Sequence, residues 1–509
     1  MLLVAHGHEV AQLPQVHRIL HDLIFRSLRY LMHIFHMLKG RLTFVSSLIV
    51  QRSRRETMQT DVTMKGAELA EANAIIKTCV HYGFCTNTCP TYVLLGDENE
   101  SPRGRIDLIK DMLASNAAPK KETVQHLDNC LSCLSCMTTC AAKVDYAHLI
   151  DRARVHIEKT YDRPLFDRFI RTALAGILPN PKALTAALWM ASLAQPLKHI
   201  FTGRLRAMLE LAPTGARVAA VTKRQVFAAE GERRSRVILH LGCVQQVVAQ
   251  HINDAAIRLL TRHGVEVVTL GAGGCCGALT LHMGKEDKAR AAARQVIAAV
   301  QAELESDEVD AVVITASGCG TTVKDYGHLF AADRQMSAAA TRVAGLTRDI
   351  SELLHKLPLQ PATGNMAYRV AYHDACSMLH GQKVISQPRA LLKRAGFKVH
   401  DIPERHFCCG SAGTYNMLQP ELAARLGQRK AANVGATGAD ILCAGNLGCL
   451  TQIGHYSELP AVHTVELLDW ATGGPRPAAL RGRDLSPETA DLTPSREAAL
   501  TAAPEGAFW

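Results

Sequence analysis

The chain has 509 residues, of which 48% are hydrophobic, 20% charged and 5% aromatic; its length suggests about three domains and its composition a folded chain, excluding a disordered or fibrous one. No run of eighteen or more uncharged apolar residues occurs, which excludes a membrane-spanning helix of the usual kind. The net charge of +10 is concentrated in residues 1–57, with eight Lys or Arg against three Asp or Glu, and no basic stripe interleaved with aromatics follows it, so nucleic acid is not an expected partner.

The opening stretch, 1–57, spaces Leu20, Ile24, Leu28, Leu31, Phe35 and Leu38 like one face of a helix, with Arg26 and Arg29 between them. A basic amphipathic helix at a membrane surface fits that pattern. The plainer reading is upstream sequence that precedes a natural start at Met58. No charged n-region leads a compact apolar core to a small-residue cleavage site, so a secretory signal is not expected. With no such signal, sixteen cysteines point to a reducing compartment and to metal ligation instead of disulfides.

Seven of those cysteines fall between residues 79 and 140. The first run is Cys79-x5-Cys85-x3-Cys89-Pro90, and the second is Cys130-x2-Cys133-x2-Cys136-x3-Cys140-Ala141. A two-cluster ferredoxin run is C-x2-C-x2-C-x3-C-P, in which the fourth cysteine serves the other cluster. On that pattern Cys89, Cys130, Cys133 and Cys136 hold a 4Fe-4S cluster. Cys79, Cys85 and Cys140 form a second set that is one thiolate short, because Tyr82 stands at the missing ligand and a phenol titrating near ~10 is a poor partner for soft iron. A 3Fe-4S cluster, a 4Fe-4S cluster whose odd iron takes water or Tyr82, and a lost cluster are all compatible with three thiolates. Four-cysteine zinc is the competing assignment, and seven thiolates with both x3 tails argue against it.

Between the runs, Ser101 to Lys110 reads as a turn entering a helix with Pro102 in its first turn, where Arg103 and Arg105 are placed to offset cluster charge. Apolar stripes around 165–174 and 184–197, broken at Pro179, Pro181 and Pro213, predict a helical connector, and the stripe with Trp189 and Met190 reads as ordinary core.

The second half repeats itself. Cys243, Cys275-Cys276-Gly277 and Cys319 are answered by Cys376, Cys408-Cys409-Gly410 and Cys449, and the leading interval is 32 residues in both copies. His240 and His373 each stand three residues before the leading cysteine. Strands are predicted at 236–240, 265–270 and 311–315 and again at 369–373, 398–402 and 440–443, so each cysteine lies just past the carboxyl end of a parallel strand, where open α/β sheets gather ligands. Adjacent cysteines suit a larger inorganic core better than one small ion. Zinc and a redox-active vicinal dithiol remain open for these sites. Cys443, inside a strand, reads as packing, and the two histidines read as buried donors to a thiolate or a backbone carbonyl, with direct ligation as the alternative.

These motifs, with the segments Gly96 to Ile106, Thr315 to Gly320 and His406 to Tyr415, resemble the family of glycolate oxidase iron-sulfur subunits, within the wider group of CCG-domain, heterodisulfide-reductase-like iron-sulfur proteins. The likeness covers Met58 to Gly473. It implies an α/β chain with an N-terminal helical two-cluster ferredoxin-like domain at 58–160 and CCG domains at 231–350 and 365–472, joined by the helical connector at 161–230; the stretch 473–509, rich in Pro, Ala, Arg and acidic residues with little periodicity, reads as a disordered tail. It further implies iron-sulfur clusters at the ferredoxin-type and CCG cysteines, FAD-binding glycolate oxidase subunits as partners, and a membrane quinone or other acceptor. Electrons from glycolate oxidation would then pass through a cytoplasmic subunit held on the inner membrane face. The iron-sulfur subunit of another 2-hydroxyacid or glycerol-3-phosphate dehydrogenase, a heterodisulfide-reductase-like catalytic subunit, and a zinc-bound scaffold are the alternatives.

Overall fold

Helix Ala67–Thr78 leads into the first cysteine run, which is carried by the short helices Phe84–Asn87 and Pro90–Leu95. The computed structural model describes residues 66–115, 118–213, 224–271, 274–485 and 487, and the expectations for 1–57 lie outside them. Pro102 opens helix Pro102–Ser115 as predicted, since its missing N–H falls among the donors that a first helical turn leaves free. Helices Lys121–Asp128, Ser135–Thr139 and Tyr146–Thr160 complete this part. Ile106 and Ile109 from one helix, Val124 and Leu127 from the next, and Leu149, Ile150 and Ala153 from the last recur at helical spacing and close one buried core.

The connector is helical, as Leu165–Ile177, Pro181–Ala194 and Gly203–Leu211. The first of these stops before Pro179, and Asn180 caps the second by accepting from the Lys182 and Ala183 amides at 3.0 and 3.2 Å. Trp189 and Met190 are exposed, contrary to the expectation of core. The helix is apolar nearly all round, so periodicity could not say which side would be covered, and Leu184 is its one buried residue.

Two sheets follow. In the first, β1 (Gln225–Phe227), β2 (Ser235–His240), β3 (Val265–Thr269), β4 (Ala311–Ile314) and β5 (Thr347–Asp349) lie in the order β1-β3-β2-β4-β5. In the second, β6 (Arg369–His373), β7 (Lys398–Asp401), β8 (Ile441–Ala444) and β9 (Ala461–His463) lie in the order β7-β6-β8-β9. Every pairing is parallel except β1 with β3. The three strands predicted per copy are present; β1, β5 and β9 are three residues each, too short to leave a periodic signal.

Alternation along the strands builds three apolar layers. Val237 and Leu239 from β2 and Val370 and Tyr372 from β6 face one core shared by both sheets. Ile238 turns the other way, into a core with Cys276, and Ala371 turns into one with Cys409 and Cys449. Cys443 is fully buried in the shared layer, as expected of a packing residue. Leu480, within the stretch expected to be a tail, is also fully buried in that layer, so the packed chain extends past Gly473.

Candidate metal centres

The two cysteine runs adopt the same local backbone. Ser132 and Leu134 take left-handed φ values of 49° and 62°, and the matching His81 and Gly83 take 57° and 84°. Left-handed residues on both sides of the second position curl each loop around a centre, and Tyr82 thereby occupies the place of Cys133. Cys89 and Cys140 end their runs with nearly the same extended backbone, φ −84° and −77°.

Cys89, Cys130, Cys133 and Cys136 are all buried and line one cavity with Arg105 and Tyr146. The Cys133 and Cys136 thiols are pushed well above their ordinary range, first by burial and then by neighbouring sulfur charge. Four thiolates cannot share this space without counter-charge, which is what a cluster's irons bring. Part of it is already built in. Arg105, 1% exposed, places Nη1 3.8 Å from the Cys89 sulfur and donates to Glu100 Oε2 at 2.6 Å, Thr91 Oγ1 at 3.0 Å and the His126 carbonyl at 2.7 Å. Burial alone would lower its pKa, but Cys130, Tyr146, Cys89 and Glu100 around it win, and the guanidinium stays charged. Glu100 is fixed in turn by His126 Nδ1 and Asn129 Nδ2, each 2.7 Å away. The donor set fits a 4Fe-4S cluster.

Cys79, Cys85 and Cys140 line a second cavity with Tyr82, Phe84 and Arg103. Burial raises the Cys85 thiol to about 11, and the charges of Cys79 and Cys140 add to it. Tyr82 is 65% exposed, so this set lies at the protein surface. Its three sulfurs fit a cluster with one iron not held by thiolate. Arg103 pairs with Glu98 at 2.5 Å in place of a cysteine.

Each CCG site draws its cysteines from the carboxyl ends of neighbouring strands. The Cys243 and Cys275 sulfurs are 3.5 Å apart, and those of Cys376 and Cys408 3.8 Å. Gly277 and Gly410, at φ 88° and 90°, turn the chain directly after the paired cysteines. A Cβ there would stand 2.8 Å from the Ala289 carbonyl oxygen in one copy and 2.7 Å from that of Ala423 in the other, which accounts for glycine in both. In the first site Cys275 is pulled down to about 3, first by its hydrogen bond with Cys243, while Cys319 is held near 6 by Cys276 and then by His240. Their neighbours Cys243 and Cys276 rise, as do Cys376, Cys408 and Cys409 in the second site. The amide of Asn446 donates to the Cys449 sulfur at 3.3 Å.

The sites adjoin one another. Leu131 and Cys133 pack in one apolar group with Cys408 and Tyr415, and the Cys376 charge is the first neighbour felt by Cys133. Tyr415 donates to the Asn129 carbonyl at 3.1 Å, and Thr138 Oγ1 lies 2.8 Å from His380 Nδ1. The two CCG repeats meet through the helical turns that carry Cys319 and follow Cys376: Ser317 and Ser377 hydroxyls are 2.7 Å apart, and Gln382 donates to the Ser317 carbonyl at 2.9 Å.

Sequence reasoning brought the cysteines to their sites but missed Glu100, Tyr146, Asn446 and Lys430. Lys430 is 2% exposed and donates to the Glu404 carbonyl at 2.7 Å, close enough to Cys408 and Cys409 for their charges to act on it. A lysine on an amphipathic helix carries no sign of burial; its place opposite Ile297 of the first repeat was the only available hint.

Comparison with known proteins agrees with this layout. The 4Fe-4S dicluster domain matches residues 75–144, and the cysteine-rich domain matches twice, at 237–324 and 370–454. The glycolate oxidase iron-sulfur subunit of Escherichia coli (strain K12) is 35% identical over 416 residues, 82% of this chain and 99% of that one. The probable glycolate oxidase iron-sulfur subunit of Bacillus subtilis (strain 168) is 30% identical over 78% of this chain and 94% of its own. Lactate utilization protein A of Oceanobacillus iheyensis is 27% identical, over 46% of this chain and 96% of its own length.

Proposed function

The chain belongs to the family of glycolate oxidase iron-sulfur subunits, and on that footing we propose that it is the electron-transfer subunit of a flavin-dependent glycolate dehydrogenase complex. FAD-binding partner subunits oxidise glycolate to glyoxylate, and this chain conveys the electrons to a membrane quinone or another acceptor without oxidising substrate itself. The observation that carries the proposal is the packing of Cys133 of the 4Fe-4S set against Cys408 of the second CCG set. On this reading electrons pass among the surface set of Cys79, Cys85 and Cys140, the set of Cys89, Cys130, Cys133 and Cys136, and the two CCG sets, whose repeats meet at Ser317 and Ser377.

When bound, iron-sulfur clusters supply one-electron redox chemistry. Cys89, Cys130, Cys133 and Cys136 hold the 4Fe-4S group, the three-cysteine set holds a 3Fe-4S or open 4Fe-4S group, and the CCG cysteines hold the remaining ones. Arg105 places buried positive charge beside the sulfurs, Lys430 brings an amine lowered by burial close to Cys408 and Cys409, and the apolar groups around them keep water out. The paired cysteines Cys275, Cys276, Cys408 and Cys409 are buried, which favours a relay over direct attack on a disulfide substrate. The exposed Val80, Tyr82 and Phe84 around the surface set form the face offered to the flavoprotein.

The same complex sits on the cytoplasmic face of the membrane in this proposal. Among the described residues no helix is long and apolar enough to cross a bilayer. The connector nevertheless exposes Leu165, Phe169, Trp189, Leu193 and Ile200, with Lys182 and Lys198 nearby, which suits attachment to an anionic surface.

The test is anaerobic co-expression with the flavoprotein subunits, followed by glycolate addition. Cluster absorbance should bleach in the complex and stay unchanged in the isolated chain. Bleaching of the flavin-free chain would overturn the division of labour, and a colourless, zinc-loaded protein without acid-labile sulfide would overturn the relay.

A further inference from the structure

Among the described residues, the buried histidines His463 and His263 use both ring nitrogens, and only His373 leaves both without a partner. His463 has Nε2 3.0 Å from the Thr315 carbonyl, to which it donates, and accepts the Val465 amide on Nδ1 at 3.2 Å. His263 donates from Nδ1 to the Leu259 carbonyl at 2.6 Å and accepts the Gln360 amide on Nε2 at 2.9 Å. His373, at the end of β6, is 1% exposed and has no hydrogen-bond partner on either nitrogen. A buried polar group left unpaired calls for a ligand of another kind.

The surroundings name that ligand. One ring nitrogen of His373 and the sulfurs of Cys409 and Cys449 all lie within 4.8 Å of one another. Strand alternation puts His373 on the side of Ala371, whose apolar group contains both cysteines. Its register partner on β8 is Ala444, on the strand that leads directly into the helix bearing Cys449. In the first repeat His240 likewise leaves Nε2 without a partner, but among the described residues no group of three ligand atoms gathers around it.

We propose that His373 is a direct nitrogen ligand of the iron-sulfur group at the second CCG site, alongside Cys376, Cys408, Cys409 and Cys449. A neutral imidazole beside the four thiolates adds a ligand without adding negative charge, so a cysteine in its place would make the site one negative charge heavier and lower its reduction potential, the sense of the difference that histidine ligation makes in other iron-sulfur centres.

The inference rests on the iron-sulfur reading of this site given above. Full-length protein labelled with 15N-histidine, purified anaerobically and partly reduced, is examined by pulsed EPR for strong coupling to a histidine nitrogen. Wild type and His240→Gln should both show it. His373→Cys should keep its iron, lose the coupling and lower the potential of one centre, and His373→Leu should lose the iron of that site alone. Absence of coupling in wild type, its survival in His373→Cys, or stoichiometric zinc at the second site would overturn the proposal. Protein whose other clusters still bleach with glycolate and flavoprotein fails this inference only; protein with no acid-labile sulfide fails the iron-sulfur reading as well.

Discussion

Tyr82 stands in the first cysteine loop where Cys133 stands in the second. The residues on either side of both, His81 and Gly83 in one and Ser132 and Leu134 in the other, share left-handed backbone. The loop that shapes a four-thiolate site is therefore intact around a residue that supplies no thiolate. Cys133 is buried and points toward the second CCG site, whereas Tyr82 is largely in solvent.

Tyr82→Cys should accordingly complete the surface set without refolding it. Oxidised wild type is expected to show the EPR signal of a three-iron cluster, and the variant to replace it with a four-iron cluster visible on reduction, with iron rising by about one atom per chain. An unchanged spectrum would mean that the surface set holds no cluster.

Arg105→Met leaves Glu100 charged and buried, a change that costs about 3–5 kcal/mol when one partner of a buried pair is removed. The denaturant midpoint should fall, and the potential of the adjoining cluster should fall too, because a positive charge next to Cys89 favours the reduced form. Adding Glu100→Gln removes the stranded carboxylate and should restore most of the stability and, by taking a negative charge from beside the same sulfurs, part of the potential. A potential unchanged in Arg105→Met would show that Arg105 acts only as a structural ion-pair partner.

Gly277→Ala and Gly410→Ala each force a side chain into left-handed backbone, at about 1–2 kcal/mol, and into a backbone carbonyl. Each should deplete iron at its own CCG site and leave the other site and the ferredoxin-type sets loaded. Equal loss at both sites in either variant would contradict their independence.

Two buried groups near the join of the repeats oppose each other in pH dependence. Burial lowers His463 to about 4, so the unfolded chain takes up a proton first as pH drops below 6.5, and folding loses stability. Burial raises Asp349 to about 6, so the folded chain takes up the proton first and gains stability over the same range. Between pH 7 and 5, His463→Gln should gain about 2 kcal/mol on wild type, and Asp349→Asn should lose about 1 kcal/mol. Thermal midpoints of the three proteins at both pH values check the opposite signs.

Cysteine spacing and strand pattern carried a large share of this protein. The two cysteine runs, the 32-residue repeat and the six main strands were readable because short loops and period-two alternation act over neighbouring residues. The sequence by itself also excluded a full set of thiolates at Tyr82. What only the tertiary structure decided are encounters between residues far apart in the chain: Cys133 against Cys408, Arg105 against Glu100 and Cys89 in a sealed interior, and His373 with both nitrogens free beside Cys409 and Cys449. Each of those depends on which faces two elements bury against each other, and that choice leaves no local or periodic trace.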